Sequence, residues 1–172
     1  MVKNKEREGG VNSEENVLRS LTPRQAEVLG LIAQGFSNDT IAEKLCLQVE
    51  TVDDYITRIF SKLEISSARE FKPRIKSVLL YQGNTPGSNS PPSYFEDHER
   101  EIVSLTPRQK EVVKLIGKAY SNQTIADTLG LAVKSVENYI NCVLNTKIPV
   151  DRKRYNPRVV LALMAQTEHV AQ

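Results

Sequence analysis

The sequence predicts an all-α protein in which one four-helix unit occurs twice. The segment Leu21-Thr-Pro-Arg-Gln25 returns 84 positions later as Leu105-Thr-Pro-Arg-Gln109. The same offset relates Phe71-Lys-Pro-Arg74 to Tyr155-Asn-Pro-Arg158. Because self-similarity at one fixed spacing marks a duplicated structural unit, we interpret the chain as a tandem duplication of one domain.

Composition sets the boundaries of the two units. The chain before Leu21 is mostly polar, and the stretch that begins at Gln82 reads QGNTPGSNSPPS, which is typical of a flexible linker. We therefore predict an N-terminal tail and two domains joined by a linker with a short helix. The predicted ranges are 1–20 for the tail, 21–81 for the first domain, 82–104 for the linker, 94–101 for its helix and 105–168 for the second domain.

The first helix of each unit begins at a capping signal. Thr22 is a favoured N-cap residue, Pro23 suits the first helical position, and Gln25 can return a hydrogen bond to the Thr22 backbone. The same residue types stand at Thr106, Pro107 and Gln109 in the second unit. The pattern predicts that both first helices start at equivalent places.

A turn and a two-sided third helix follow in both units. The turns Cys46-Leu47-Gln48 and Gly130-Leu131-Ala132 have the connection length of a helix-turn-helix motif. In the third helices, predicted at 50–64 and 134–146, apolar residues at helical spacing form one side, which must pack on its own unit. These are Val52, Ile56 and Ile59, and Val136, Ile140 and Val143. The opposite, polar sides are called here the first stripe (Glu50, Asp53, Asp54, Thr57 and Ser61) and the second stripe (Lys134, Glu137, Asn138, Asn141 and Asn145).

The fourth helices are predicted at 68–81 and 154–166, each with a proline near its start. They carry more apolar residues than a small domain needs for its own core. We predict that Val78, Leu79 and Leu163 form a dimerisation surface. The alternative is that these residues only close the core of each unit.

Composition and motifs argue against several other classes of protein. At 40% hydrophobic and 26% charged residues the chain is ordinary globular material, and a net charge of +2 does not establish nucleic-acid binding by itself. His98 and His169 fall in the linker and at the C-terminus, and no phosphate-binding glycine loop or paired nucleophile is present. We predict no enzymatic activity, no cofactor and no metal. Without an apolar run of membrane-spanning length or a signal peptide, the expected location is the cytoplasm, in association with the nucleoid.

The stretch LTPRQAEVLGLIAQGFSNDTIAEKLCLQVETVDDYITRIFSKLEI resembles the LuxR-type (GerE-like) helix-turn-helix domain of bacterial transcription regulators. The likeness covers most of 21–80 and 105–165. It implies that the third helix enters the major groove of DNA and that the fourth helix pairs two domains. Carried over by position, the implied DNA contacts are Gln48, Glu50, Thr51, Asp53, Asp54, Thr57 and Arg58 in the first unit, and Lys134, Ser135, Glu137, Asn138 and Asn141 in the second. Further backbone contacts are expected from Arg58, Lys62, Arg69, Lys72 and Arg74.

The chain departs from the family pattern at the third helix. Gln48 and Ala132 replace the usual serine cap, and Asp53 and Glu137 replace a usual basic residue. Acids near phosphates are repulsive, although a carboxylate can accept a hydrogen bond from cytosine N4. We therefore expect the second unit to make the stronger DNA contact.

The sequence thus predicts a bacterial DNA-binding transcription regulator with two tethered helix-turn-helix domains. No sensor domain is expected, because the segment before Leu21 is too short for one. The expected partner is double-stranded DNA, with pairing through the fourth helices either inside one chain, which we favour, or between two copies. The alternative is a protein-interaction module that presents Glu50, Asp53 and Asp54 to RNA polymerase or another regulator.

Overall fold

The computed structural model describes residues 16–65, 69–85 and 105–166. The first unit contains α1 (Pro23–Ala33), α2 (Asn38–Leu45), α3 (Val49–Lys62) and α4 (Pro73–Asn84). The second contains α5 (Pro107–Gly117), α6 (Asn122–Leu129), α7 (Val133–Cys142) and α8 (Pro157–Met164). These ranges confirm the all-α class and the tandem repeat. The predicted linker helix at 94–101 and most of the tail lie outside the described residues.

The capping boxes form in both units as predicted. The Gln25 N–H donates to Thr22 Oγ1 at 3.3 Å, and the Thr22 N–H donates to Gln25 Oε1 at 3.0 Å. The corresponding distances between Thr106 and Gln109 are 3.3 and 2.9 Å. Each box satisfies two backbone donors that a helix start leaves without partners, so α1 and α5 begin at equivalent residues.

Each unit has its own core, in which the first helix contacts the third and the fourth. Val28, Leu29 and Ile32 of α1 are fully buried. The predicted apolar side of α3 is buried too, and the α7 region buries Val136 and Val143 and half-buries Ile140. Burying one side of the third helix leaves its polar side facing away from the core.

The fourth helices begin later than predicted. Instead of starting at 68 and 154, they start at Pro73 and Pro157, and α4 continues to Asn84, past its predicted end. A residue before proline is driven out of the helical region, and Lys72 accordingly has φ −98° and ψ 111°. The residues ahead of each proline are extended and bond to the other unit.

A π-helical turn marks the one place where the repeat is out of register. The 84-position offset slips by one residue around Leu63 and Ile148. There α7 continues as a π-helix over Val143–Lys147, in which the Ile148 N–H donates to Val143 O at 2.8 Å. A single π turn lengthens the loop of each hydrogen bond by one residue, which accommodates a one-residue slip.

The two units pack against each other through contacts that occur in pairs. α8 contacts α4. Isolated antiparallel bridges join Phe36 to Tyr155 and Phe71 to Tyr120. The Phe36 and Tyr155 rings stack with centroids 5.4 Å apart, and the Phe71 and Tyr120 rings lie 5.5 Å apart with a tilt of 41°. Since Tyr120 is the repeat of Phe36 and Tyr155 that of Phe71, the second pair repeats the first with the units exchanged.

Backbone hydrogen bonds follow the same reciprocal rule. The Ser37 N–H donates to Arg154 O at 3.0 Å, and the equivalent Ser121 N–H donates to Glu70 O at 2.7 Å. Likewise the Asn156 N–H donates to Gly35 O and the Lys72 N–H to Ala119 O, both at 2.7 Å. An interface in which residue i meets j and the counterpart of j meets that of i is isologous. The two units are therefore related by an approximate two-fold axis.

Candidate nucleic-acid interface

The polar sides of α3 and α7 face solvent. All five residues of the first stripe are exposed. In the second stripe only Glu137 is half-buried, and the other four residues are exposed. Neither stripe is covered by the rest of the described chain, so both remain accessible to a macromolecular partner.

The second stripe carries a cation and a row of amides. The Lys134 ammonium lies 3.2 Å from the Glu137 carboxylate, and its side chain is 78% exposed. An exposed pair of this kind contributes about 0–1 kcal/mol, so Lys134 can leave Glu137 for a stronger anion at little cost. Asn138 and Asn141 are exposed beside it, while Ser135 is half-buried.

In the first stripe, Asp53 is held by its own unit. Asn38 Nδ2 donates to Asp53 Oδ1 at 2.6 Å, and Asn38 Oδ1 accepts from Arg74 Nη1 at 2.6 Å. Arg74 Nη2 also donates to Phe36 O at 2.9 Å. This relay ties Asp53 to the inter-unit contact at Phe36. For the side chains of Glu50 and Asp54 no hydrogen bond or ion pair is found within the described ranges.

Arg74 therefore bonds to residues of its own unit. The sequence had suggested instead that it contacts the phosphate backbone of DNA. Burial lowers the pKa of Arg74 to about 10, against a smaller opposing effect of Asp53. Burial also lowers the pKa of the equivalent Arg158 to about 10. Arg158 makes the same two bonds, to Asn122 Oδ1 at 2.6 Å and Tyr120 O at 2.7 Å. Both guanidinium groups stay charged at neutral pH and hold the α1–α2 turn to the fourth helix.

The remaining candidate residues of the first unit differ in accessibility. Gln48 and Arg58 are exposed and Thr51 is half-buried. Lys62 is exposed, with its ammonium donating to Ser20 O at 2.9 Å. Gln48 stands at the N-cap of α3 without a side-chain cap bond, and Ala132 at the start of α7 likewise provides none, as expected from the missing serine.

The residues predicted to pair the units lie in the fourth helices. Val78 is fully buried, Leu163 is 4% exposed and Leu79 is half-buried. A Cβ built on Gly35 would lie 3.6 Å from Leu163 Cδ1 and 3.7 Å from Val160 Cγ2, so α8 packs on the α1–α2 turn of the first unit. Val160 to Met164 are all buried, which places α8 between its own core and the other unit.

Sequence reasoning missed the roles of Asn38 and Asn122 and of the four interface aromatics. The available signal was their recurrence: Asn38 with Arg74 repeats as Asn122 with Arg158, and both partners of each ring pair are aromatic in both units. Recurrence alone does not show which repeated residues touch.

Helices joined by a short turn, with an exposed polar side on the third helix, define this chain as a tandem helix-turn-helix protein of the DNA-binding class. The family described as "Bacterial regulatory proteins, luxR family" matches residues 19–71 and 103–153. The chain belongs to this family of bacterial regulators. Within the described ranges, no helix has both the length and the apolar character needed to cross a bilayer.

Several curated proteins are similar to part of the chain. The oxygen regulatory protein NreC of Staphylococcus carnosus is 44% identical over 70 residues, which are 40% of this chain and 32% of NreC. The transcriptional regulatory protein LiaR of Bacillus subtilis is 47% identical over 57 residues, 32% of this chain and 27% of LiaR. The transcriptional activator protein ExaE of Pseudomonas putida is 40% identical over 63 residues, 37% of this chain and 28% of ExaE. The matches therefore span about a third or less of each relative. No solved structure gives a significant match.

Proposed function

We propose that this chain regulates bacterial transcription by binding double-stranded DNA with its two tethered units together. The observation that carries the proposal is the exposed second stripe on α7, where Lys134, Asn138 and Asn141 stand on the polar side of a recognition helix. The names of the similar proteins, which describe transcriptional and oxygen regulation, support the same class of function. A protein of this function works where the bacterial chromosome lies, in the cytoplasm.

The chemistry of the second stripe suits base edges in the major groove. An asparagine amide can pair with adenine N6 and N7, and a lysine ammonium with guanine or phosphate. Ser135, near the start of α7, can donate to a phosphate. In the first unit, Gln48, Thr51, Arg58 and Lys62 are the proposed phosphate contacts, and Asp54 is the proposed base contact.

Pairing inside one chain supports joint binding. Contact between α4 and α8 and the reciprocal backbone bonds support a two-fold arrangement, in which Val78, Leu79 and Leu163 are the residues proposed to pair the units. Two-fold recognition domains suit half-sites about 10 base pairs apart, one turn of the duplex. A second module held close to its half-site gains avidity of about 10²–10⁴ without a new contact.

The test measures binding of the full chain to a duplex selected from randomised DNA, by fluorescence anisotropy at two salt concentrations. With about four neutralised phosphates, affinity should fall about 10²-fold between 50 and 200 mM salt. The variant Lys134→Ala/Asn138→Ala/Asn141→Ala should lose at least about 100-fold in affinity, because each base contact is worth about 1–3 kcal/mol. Salt-independent binding, or no binding, would refute the proposal.

The matched control changes the equivalent positions of the first stripe. The variant Glu50→Ala/Asp54→Ala/Thr57→Ala should change affinity by less than about tenfold, since it removes acids as well as any base contact. Far-UV circular dichroism of both variants checks that the helices remain.

The competing function is a protein-interaction module. It is favoured by the carboxylates of Glu50 and Asp54, which have no side-chain partner among the residues that the structure describes. That function predicts the reverse pattern. The chain would select no duplex from randomised DNA, and the first-stripe variant would no longer bind a protein partner. A pull-down with RNA polymerase, using both variants, would reveal it.

A further inference from the structure

The reciprocal contacts between the two units, called here the two-fold frame, place the third helices at equivalent positions. The two helices nevertheless carry different residues. Within the described residues, the four backbone bonds across the interface form two pairs related by exchange of the units. The rotation that exchanges these contacts also exchanges α3 with α7, so the two stripes stand at equivalent places. At the offset of 84 positions, Glu50 is equivalent to Lys134, Asp54 to Asn138 and Thr57 to Asn141.

The frame is completed within one chain. α8 is buried from Val160 to Met164 between its own core and the first unit. The extended residues ahead of both fourth helices already bond to the opposite unit, at Gly35 and Ser37 and at Ala119 and Ser121. A second copy would have to displace these bonds to reach the same surfaces. The two recognition helices that a homodimer would draw from two chains are here supplied by one.

We propose, building on the DNA-binding function above, that one chain recognises one asymmetric operator made of two different half-sites. The second stripe reads a half-site through Lys134, Asn138 and Asn141. The first stripe reads the other half-site with Asp54, whose carboxylate accepts a hydrogen bond from cytosine N4 and rejects the acceptor edge of guanine. The ligand class is therefore a non-palindromic duplex bound by a single protein chain.

Asp53 is left out of the designed changes because Asn38 Nδ2 donates to its carboxylate at 2.6 Å. Its bond continues to Arg74 and the Phe36 carbonyl. A design that converts the first stripe into a copy of the second should therefore leave Asp53 in place. The changes that convert the reading surface are Glu50→Lys, Asp54→Asn and Thr57→Asn.

The experiment begins with selection from a randomised duplex long enough for two half-sites about 10 base pairs apart. The wild-type chain should select a site whose halves differ, and mass photometry should show one chain per duplex. Two palindromes are then built, each from one half-site repeated in inverted orientation. Wild type should bind either palindrome at least about tenfold more weakly than the selected site, as expected for one or more mismatched base pairs.

The converted variant carrying Glu50→Lys, Asp54→Asn and Thr57→Asn should reverse this order. It should bind the palindrome of the second-stripe half-site at least as tightly as the selected site, still with one chain per duplex. The variant Lys118→Arg, at an exposed position after α5 and outside both stripes, serves as a control and should keep the wild-type order.

Three outcomes would overturn the inference. Selection of a palindrome by the wild-type chain, two chains on each duplex, or an unchanged order in the converted variant would each do so while leaving DNA binding intact. If no duplex is bound at all, the proposed function fails together with the inference.

Discussion

The stacked rings of Phe36 and Tyr155 belong to different units, so their contribution to the free energy of unfolding tests how strongly the units are held together. The rings are 5.4 Å apart and within 13° of parallel, and the two residues are 9% and 7% exposed. Replacing either ring by leucine keeps an apolar side chain but removes buried ring atoms, at about 0.8 kcal/mol for each CH₂-sized group lost. The lost stack adds about 0.5–1.5 kcal/mol. Phe36→Leu and Tyr155→Leu should therefore each lower the free energy of unfolding by about 2 kcal/mol.

A double-mutant cycle isolates the contact between the rings. Each single variant loses the whole stack, so the double variant loses it only once. The double variant should be about 0.5–1.5 kcal/mol more stable than the sum of the single effects predicts. Urea unfolding of the full chain, followed by far-UV circular dichroism, gives the four stabilities.

The control cycle pairs Phe36→Leu with Tyr139→Leu. Tyr139 lies on α7, beside Arg108 of its own unit. Distant sites without shared partners add within about 0.3–0.5 kcal/mol. If the Phe36 and Tyr155 cycle were additive to the same degree, the rings would not join the units in solution, and the two-fold frame would lose its main support.

Two further predictions concern backbone positions where the units differ. Cys46 adopts φ 53° at the end of α2, where the second unit has Gly130 at φ 63°. Cys46→Gly should raise the unfolding free energy by about 0.5–1 kcal/mol, because relief of a left-handed residue (about 1–2 kcal/mol) exceeds the added freedom of the unfolded chain. Gly130→Ala should lower it by a similar amount, and a loss of stability with Cys46→Gly or a gain with Gly130→Ala would contradict the argument. Ala132→Ser should stabilise α7 by about 1 kcal/mol, since the extended backbone there (φ −73°, ψ 145°) suits a serine cap. An unchanged urea midpoint for this variant would show that no cap bond forms.

Local signals predicted local structure well. The capping boxes at Thr22 and Thr106 depend on residues three positions apart, and both formed. The buried side of α3 depends on one helical period, and Val52 and Ile59 are fully buried. The start of α4 was wrong because the proline that ends the extended segment was placed inside the helix.

Long-range contacts were beyond the reach of such signals. Ser37 Oγ bonds to the carbonyl of Lys153, 116 residues away, and no periodicity links positions so far apart. The hydrogen bond between Asn38 and Asp53 was not predicted for the same reason, since Asn38 belongs to another helix. From the sequence Asp53 was a candidate DNA contact, and the structure adds that its carboxylate accepts a hydrogen bond from Asn38. Helical spacing predicts which residues of α3 are polar and exposed, whereas a hydrogen bond such as that between Asp53 and Asn38 becomes visible only in the fold.

Fixed pairing changes what the acids of the first stripe would do at DNA. On a freely tethered unit, an acidic recognition helix would simply stay away from the polyanion. If the paired units bind one duplex as proposed, α3 meets the DNA together with α7, and Glu50 and Asp54 then face the bases of the second half-site. Ionised carboxylates only accept hydrogen bonds, so guanine O6 and N7 repel them while cytosine N4 satisfies them. The first unit then acts mainly by rejecting wrong sequences, and discrimination can come from a repulsive element as well as from an attractive one. On this proposal the acids that weaken the chain's overall affinity for DNA are the source of its selectivity at one half-site.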